Sequence, residues 1–137
     1  MSDDPRWEIL HGDALKLLGQ FAPGTFDAVI TDPPYNVNYE GSAGKIKNDN
    51  MASEKFFDFL FDAFSNMEKV MANDASIYCF HADTEGLNFR RAFGAAGFYL
   101  SGCCIWKKQS LVLGRSPYQW QHEPCLYAVS YTHLRAH

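Results

Sequence analysis

Asp32, Pro33, Pro34 and Tyr35 follow the apolar run FDAVIT (residues 26–31) without a break, and their types define a chemistry. The carboxylate of Asp32 and the carbonyl of Pro33 are two acceptors held close together, with φ fixed by proline and no proline N–H to compete. Two acceptors so placed suit the two N–H groups of an aromatic amine. The exocyclic nitrogen of adenine is a poor nucleophile because its lone pair is delocalised into the ring. Drawing both hydrogens toward acceptors favours the pyramidal geometry from which it attacks an electrophilic methyl group. Charge and dipoles aimed at the developing positive nitrogen are the expected main source of rate. No strong base is required, since the nitrogen turns acidic only as the new bond forms. Tyr35 adds a flat face on which a base taken out of the duplex can stack. The competing reading is a rigid Pro-Pro turn with an incidental aromatic. The strand-like run immediately before it favours the chemical one.

The elements that must position this tetrapeptide can be read from periodicity. Residues 7–10 (WEIL) suggest a short strand, and Asp13 suits the cap of a helix carrying Ala14, Leu15, Leu17, Leu18 and Phe21. After the breaker Ala22-Pro23-Gly24-Thr25, residues 26–31 have the character of a buried strand. A polar loop over residues 36–50 is long enough to suggest function. Over residues 53–72, Phe57, Leu60, Phe61, Phe64, Met67 and Met71 recur at spacings of three and four, which predicts an amphipathic helix with these side chains in the core. A strand over 75–80 runs into His81-Ala82-Asp83. A helix around 87–96 closes at Gly97, and strands over 98–106 and 123–129 flank a loop with Gly114, Arg115 and Pro117. This alternation predicts an α/β sheet, parallel at first, with the last two strands an antiparallel edge pair. In such sheets ligands sit beyond the carboxyl ends of strands, where Asp32 and His81 both fall.

Composition bounds the alternatives. The chain has 137 residues, 47% hydrophobic and 15% aromatic, which fits one domain with a real core and not a disordered tail. A formal charge of −4 argues against a protein that coats nucleic acid, but not against an enzyme meeting DNA through a local patch. Lys107, Lys108 and Arg115 make one basic grouping, and Lys45 and Lys47 lie on the loop after Tyr35. Each is a candidate phosphate contact, with solvated surface lysine as the plain alternative. Cys79, Cys103, Cys104 and Cys125 have no metal-ligand spacing and read as reduced, mostly buried thiols, so no metal is expected. The absence of a long apolar stretch and of a signal-peptide pattern leads to the expectation of a cytoplasmic protein with no membrane partner.

Residues 9–15 (ILHGDAL) and 27–36 (DAVITDPPYN) together resemble the opening of the DNA N-4/N-6 amino-methyltransferases, in the group whose catalytic motif precedes the cofactor motif. The similarity continues through Ile46-Lys47-Asn48-Asp49 and the Phe-rich helix. It returns at Trp106-Lys107-Lys108 and over residues 113–124 (LGRSPYQWQHEP), which resemble phage and prophage DNA-modification methylases. The resemblance implies a Rossmann-like fold, S-adenosylmethionine as cofactor and double-stranded DNA as partner. It implies a catalytic grip by Asp32, Pro33, Pro34 and Tyr35, and a cofactor role for Asp32. It also makes Asp13 a candidate to hold the cofactor's adenosine, beside its plain role as a helix cap. Asp at the first motif position is a tendency of the adenine enzymes. His81, Asp83 and Glu85 could touch cofactor or base or simply cap a helix, and His122-Glu123 resembles a family motif next to the target pocket.

The pattern is also incomplete. Members of this group carry a Phe-x-Gly-x-Gly cofactor loop that this sequence lacks, and Gly41-Ser42-Ala43-Gly44 is no substitute, since it follows no strand and opens no helix. Two central strands of the sheet would lie in the same missing part, leaving the first strand without a neighbour and apolar edges exposed. Residues 129–137 (VSYTHLRAH) depart from the family pattern and resemble translated sequencing-adapter sequence. The expected layout is therefore a partial methyltransferase domain over residues 1–128 and a non-native tail over 129–137. The readings left open are an adenine-N6 enzyme of a restriction–modification or phage system, a cytosine-N4 enzyme, an RNA or protein amide methyltransferase, and a catalytically inert fragment.

Overall fold

The computed structural model describes residues 6–34, 40–41, 44–45 and 52–130. A short helix α1 (Ala14–Leu18) leads to strand β1 (Phe26–Thr31). Beyond it β2 (Glu40–Gly41) and β3 (Gly44–Lys45) pair antiparallel as a separate two-residue ladder. Helix α2 (Ser53–Val70) runs directly into β4 (Met71–Phe80). A 3-10 turn (Asp83–Glu85) opens α3 (Gly86–Ala95), and a long hairpin of β5 (Tyr99–Val112) and β6 (Trp120–Val129) follows. The main sheet has the order β1-β4-β6-β5, with β1 parallel to β4 and both other pairings antiparallel.

The helices lie on one face of this sheet. Phe56, Leu60 and Phe64 from α2 and Phe89, Ala92 and Phe93 from α3 share one buried cluster with Ile77, Cys79, Leu126 and Ala128 from the strands. Phe64 meets Phe93 edge-on at 4.7 Å, and Phe56 meets Phe89 at 5.8 Å. Of the predicted stripe, Leu60, Phe64 and Met71 are buried and Phe57 and Met67 pack partly buried against the core, but the buried arc is wider on one side than predicted. Phe56 and Ala63 are inside, while Phe61 is 37% exposed. Phe57 and Phe61 stack on each other at 6.3 Å at the rim, and the Arg91 guanidinium lies 4.4 Å from the Phe57 ring centre. A helix wedged between a sheet and a second helix buries a wider arc than a stripe facing one surface.

Residues 7–10 join no ladder, contrary to the strand expected there; Trp7 and Ile9 are exposed. A strand exists only against a partner, and among the described residues β1, the sheet's edge, offers that segment no pairing. Only two of the four cysteines are buried, Cys79 and Cys125; Cys103 and Cys104, on the edge strand β5, are exposed. The ladder runs through Val129. The Ser130 carbonyl and N–H bond to Asp74 N–H and the Ala75 carbonyl, so Val129 and Ser130 take part in the sheet. No helix among the described residues is long and apolar enough to cross a membrane.

Candidate functional site

Because β1 and β4 are parallel, their carboxyl ends lie at the same edge of the sheet. Thr31 pairs with Cys79, so Asp32, Pro33 and Pro34 emerge level with Phe80 and His81. The two prolines end β1 by withholding ladder donors. Asp32 is exposed at this edge, and Pro33 and Pro34 are half-buried. Tyr35, the fourth residue of the motif, lies outside the described residues, as does Lys47. Lys45 belongs to β3, where it pairs with Glu40.

Strand β6 runs antiparallel to β4, and β5 antiparallel to β6, so the β5–β6 hairpin reaches past the same carboxyl edge. Lys107 stands opposite His122 on this arm and is exposed. Lys108 is engaged differently. Its ammonium lies 2.6 Å from the Glu123 carboxylate and 5.3 Å from the Trp106 ring centre. Arg115 is exposed in the turn of the hairpin. Gln119 braces that turn, accepting from the Gly114 N–H at 2.6 Å and donating to the Ser116 carbonyl at 2.6 Å.

The end of β4 carries a second group of polar side chains. His81 is 2% exposed, its Nδ1 lies 2.7 Å from the Ala82 carbonyl, and its ring stacks on Phe89 at 4.9 Å. That geometry puts the proton on Nδ1 and leaves Nε2 as an acceptor, the one buried side-chain polar atom without a partner among the described residues. Burial lowers the His81 pKa, opposed by the Ala82 carbonyl and the nearby Asp83 and Glu123 carboxylates. Asp83 meets His122 Nε2 at 3.1 Å, tying the end of β4 to the start of β6 across 39 positions of sequence. Sequence alone marks His81, Asp83 and His122 separately. It holds no signal for this pairing, which only the antiparallel register of β6 creates.

Asp13 caps α1, accepting from the Leu15 N–H at 3.0 Å. The capping half of its two expected roles is thus present. Glu85, another weak candidate, accepts from the Asn88 side chain at 3.3 Å within the turn that opens α3. Among the described residues no group of three or more potential ligands could hold a metal ion.

The arrangement gathers an exposed carboxylate, a proline carbonyl and a basic, aromatic hairpin at one edge of an α/β sheet. A model of the DNA methylase family, N6/N4 type, matches residues 26–132. The DNA adenine methyltransferase YhdJ of Escherichia coli (strain K12) is 29% identical over 124 residues, covering 88% of this chain and 40% of that protein. The PvuII DNA methyltransferase (cytosine-N4-specific) superposes with a TM-score of 0.67 at 16% identity, over 88% of this chain and 48% of its own. A DNA modification methylase from Thermus thermophilus, solved in complex with S-adenosyl-L-methionine, gives a TM-score of 0.66 at 17% identity, over 88% and 51%. The chain thus spans about half the length of the proteins it matches, or somewhat less.

Proposed function

The chain belongs to the N6/N4 DNA methylase family, and from that premise we propose that it is the catalytic-motif part of an enzyme that methylates the exocyclic N6 amine of adenine in double-stranded DNA. The observation that carries this reading is the emergence of Asp32-Pro33-Pro34 at the carboxyl edge of β1, open to solvent and beside the end of β4. Asp32 accepts one amine N–H and the Pro33 carbonyl the other, holding the nitrogen pyramidal with its lone pair free. Pro34 keeps the turn rigid, and Tyr35 stacks on the extruded base. As the N–C bond forms, positive charge grows on the nitrogen beside the Asp32 carboxylate, which stabilises it.

S-adenosylmethionine would supply the electrophilic methyl group. Asp13 and Asp32 are both exposed acceptors, which suits hydroxyl groups or an ammonium, so they are the residues of this chain fitted to hold it. The glycine-rich loop expected beside them is not in this sequence, and the catalytic domain over residues 1–128 is accordingly read as partial. Lys45, Lys47, Lys107 and Arg115 are the proposed contacts to DNA phosphates. Lys107 and Arg115 stand on the hairpin arm at the same edge as Asp32, and neutralising Lys45 and Lys47 together should raise the Michaelis constant for DNA.

The fold does not choose between bases, since a cytosine-N4-specific enzyme shares it; Asp at the first motif position favours adenine. The test is nucleoside mass spectrometry of DNA incubated with S-adenosylmethionine and the chain, alone and mixed with the part of YhdJ outside the matched residues. N6-methyladenine is the expected product, and N4-methylcytosine in its place would transfer the reading to the cytosine enzymes. Methylation of neither base in either mixture would favour the inert fragment. Asp32→Ala should lower the rate by about a hundredfold or more, the cost typical of losing a group aimed at transition-state charge. Full activity in that variant would remove Asp32 from the mechanism.

A further inference from the structure

The charge of the chain is unevenly placed. From Gly86 to His122 there is no Asp or Glu, yet this stretch carries five of the 12 Lys and Arg, so the acidic balance arises entirely elsewhere. Lys107, Lys108 and Arg115 of this stretch stand on the β5–β6 arm. Two acids flank the root of the arm, and both are engaged: Glu123 with Lys108 at 2.6 Å, and Asp83 with His122 at 3.1 Å. Phe80 pairs with Cys125, and Trp120 lies five residues further out on β6. At about 3.4 Å per residue the arm therefore projects about 17 Å beyond the level of Asp32 before its turn begins.

The ladder within the arm is irregular. Lys107 pairs with His122 and Val112 with Trp120, so Lys108–Leu111 stand opposite Gln121 alone. The root of this bulge is fixed, because the Gln121 amide donates to the Lys108 carbonyl at 3.1 Å and the Lys108 ammonium holds Glu123. Gln109 and Ser110 in its middle are exposed and have no hydrogen-bond partner among the described residues. Of the three glutamines on the arm, Gln119 and Gln121 brace backbone, and only Gln109 is left over. Bulges re-aim side chains and recur beside active sites. A basic ribbon without acids complements duplex DNA. Two strands fit the major groove, about 12 Å wide, and not the minor groove, about 6 Å wide. The major groove is about 8.5 Å deep, less than the arm projects, so the bulge reaches base edges while Asp32 stays outside the duplex with the extruded base. We propose that the β5–β6 arm enters the major groove and that Gln109 reads an adenine beside the target, its amide N–H donating to N7 and its carbonyl accepting from N6. The inference rests on the reading of the chain as acting on DNA and not on which base is methylated.

The test is binding of the full chain, without S-adenosylmethionine, to duplexes with randomised bases on both sides of a central adenine, followed by sequencing of the bound fraction. One flanking position should be enriched in adenine. Gln109→Ala, at an exposed position, should keep the circular dichroism of the chain and lose about tenfold of that discrimination, the worth of a bidentate base contact. Its dependence of binding on salt should not change. Gln109→Glu should move the preference toward cytosine, whose N4 amine donates to a carboxylate. Arg115→Ala should do the opposite of Gln109→Ala, keeping the preference and lowering the salt slope by about one. Replacing the enriched adenine by 7-deazaadenine, which lacks the N7 acceptor, should weaken binding of the natural chain and not of Gln109→Ala. The proposal is overturned if no duplex is bound at high micromolar concentration in low salt, or if all sequences are bound equally. It is equally overturned if the preference survives Gln109→Ala, or if 7-deazaadenine changes nothing. Methyl transfer without a base preference would remove the reading arm and leave the proposed activity standing. Selective binding without methyl transfer would do the reverse.

Discussion

His81 shows how much one buried side chain can tie to its surroundings. Its Nδ1–H donates to the Ala82 carbonyl at 2.7 Å, its ring lies on Phe89, and Nε2 has no donor facing it among the described residues. Burial holds its folded-state pKa below the ordinary value of about 6.5. The unfolded chain therefore binds the proton more readily. The contribution of neutral His81 is complete above pH 6.5 or so and is lost as pH falls from there toward the lowered folded pKa. Urea midpoints measured at pH 7.5 and 5.5 should drop for the natural chain and drop less for His81→Phe, which cannot titrate. Equal pH dependence in the two proteins would show that His81 is not the group responsible. Asp32 poses the opposite case. It is exposed, so Asp32→Ala should leave the urea midpoint unchanged while slowing transfer as proposed above, and a fall in stability would recast it as a structural residue.

Among the elements, the turn between α3 and β5 is set by backbone geometry. Gly97 has φ of +99°, the Phe98 N–H reaches back to the Phe93 carbonyl at 3.1 Å, and Phe98 is buried beside Phe93 with rings 5.2 Å apart. This is the left-handed closure for which glycine is suited. Gly97→Ala should cost about 1–2 kcal/mol by the steric penalty of a Cβ at positive φ, read as a lower thermal midpoint; no change would mean the turn relaxes freely. The hairpin turn is set by a side chain instead. Gln119→Ala frees both the Gly114 N–H and the Ser116 carbonyl, but in an exposed turn where water replaces them. Its thermal midpoint should stay within a degree or so, while amide exchange at Gly114 speeds up. Unchanged exchange would show that Gln119 does not brace the arm.

For the whole molecule, stability is concentrated on the helix side of the sheet. Phe64 is fully buried against Phe89 and Phe93, and Phe64→Ala should cost about 3–5 kcal/mol, a large part of what a domain of this size possesses. Ile30→Ser on the bare face should change the chain alone by less than about 0.5 kcal/mol. Chemical denaturation of the two variants measures the contrast, and comparable losses would mean that the outer face is already covered.

Several of these features were legible in the sequence because they are local. The FDAVIT strand, the Asp13 cap and the Gly97 turn each follow from adjacent residue types, and the structure has them where the pattern predicts, although no residue of the strand is fully buried, because β1 is the edge of the sheet. The α/β alternation and the antiparallel closing hairpin were likewise present in the periodicity. Residues 7–10 have the pattern of a strand and form none among the described residues, because a strand is a property of two segments and periodicity reports only one. On α2 the pattern places Leu60 and Phe64 in the core correctly but takes Phe61 for Phe56, because Phe56, Phe57, Phe59, Leu60, Phe61 and Phe64 are all apolar and composition cannot say which of them meets a second helix. The end of β1 at Asp32-Pro33-Pro34 was set by the sequence, since proline acts on its own backbone. Only the tertiary structure decided that His122 meets Asp83, that the hairpin arm stands at the edge where Asp32 emerges, and that one face of the sheet is left bare. Those depend on the register and direction of strands far apart in the chain, which packing determines.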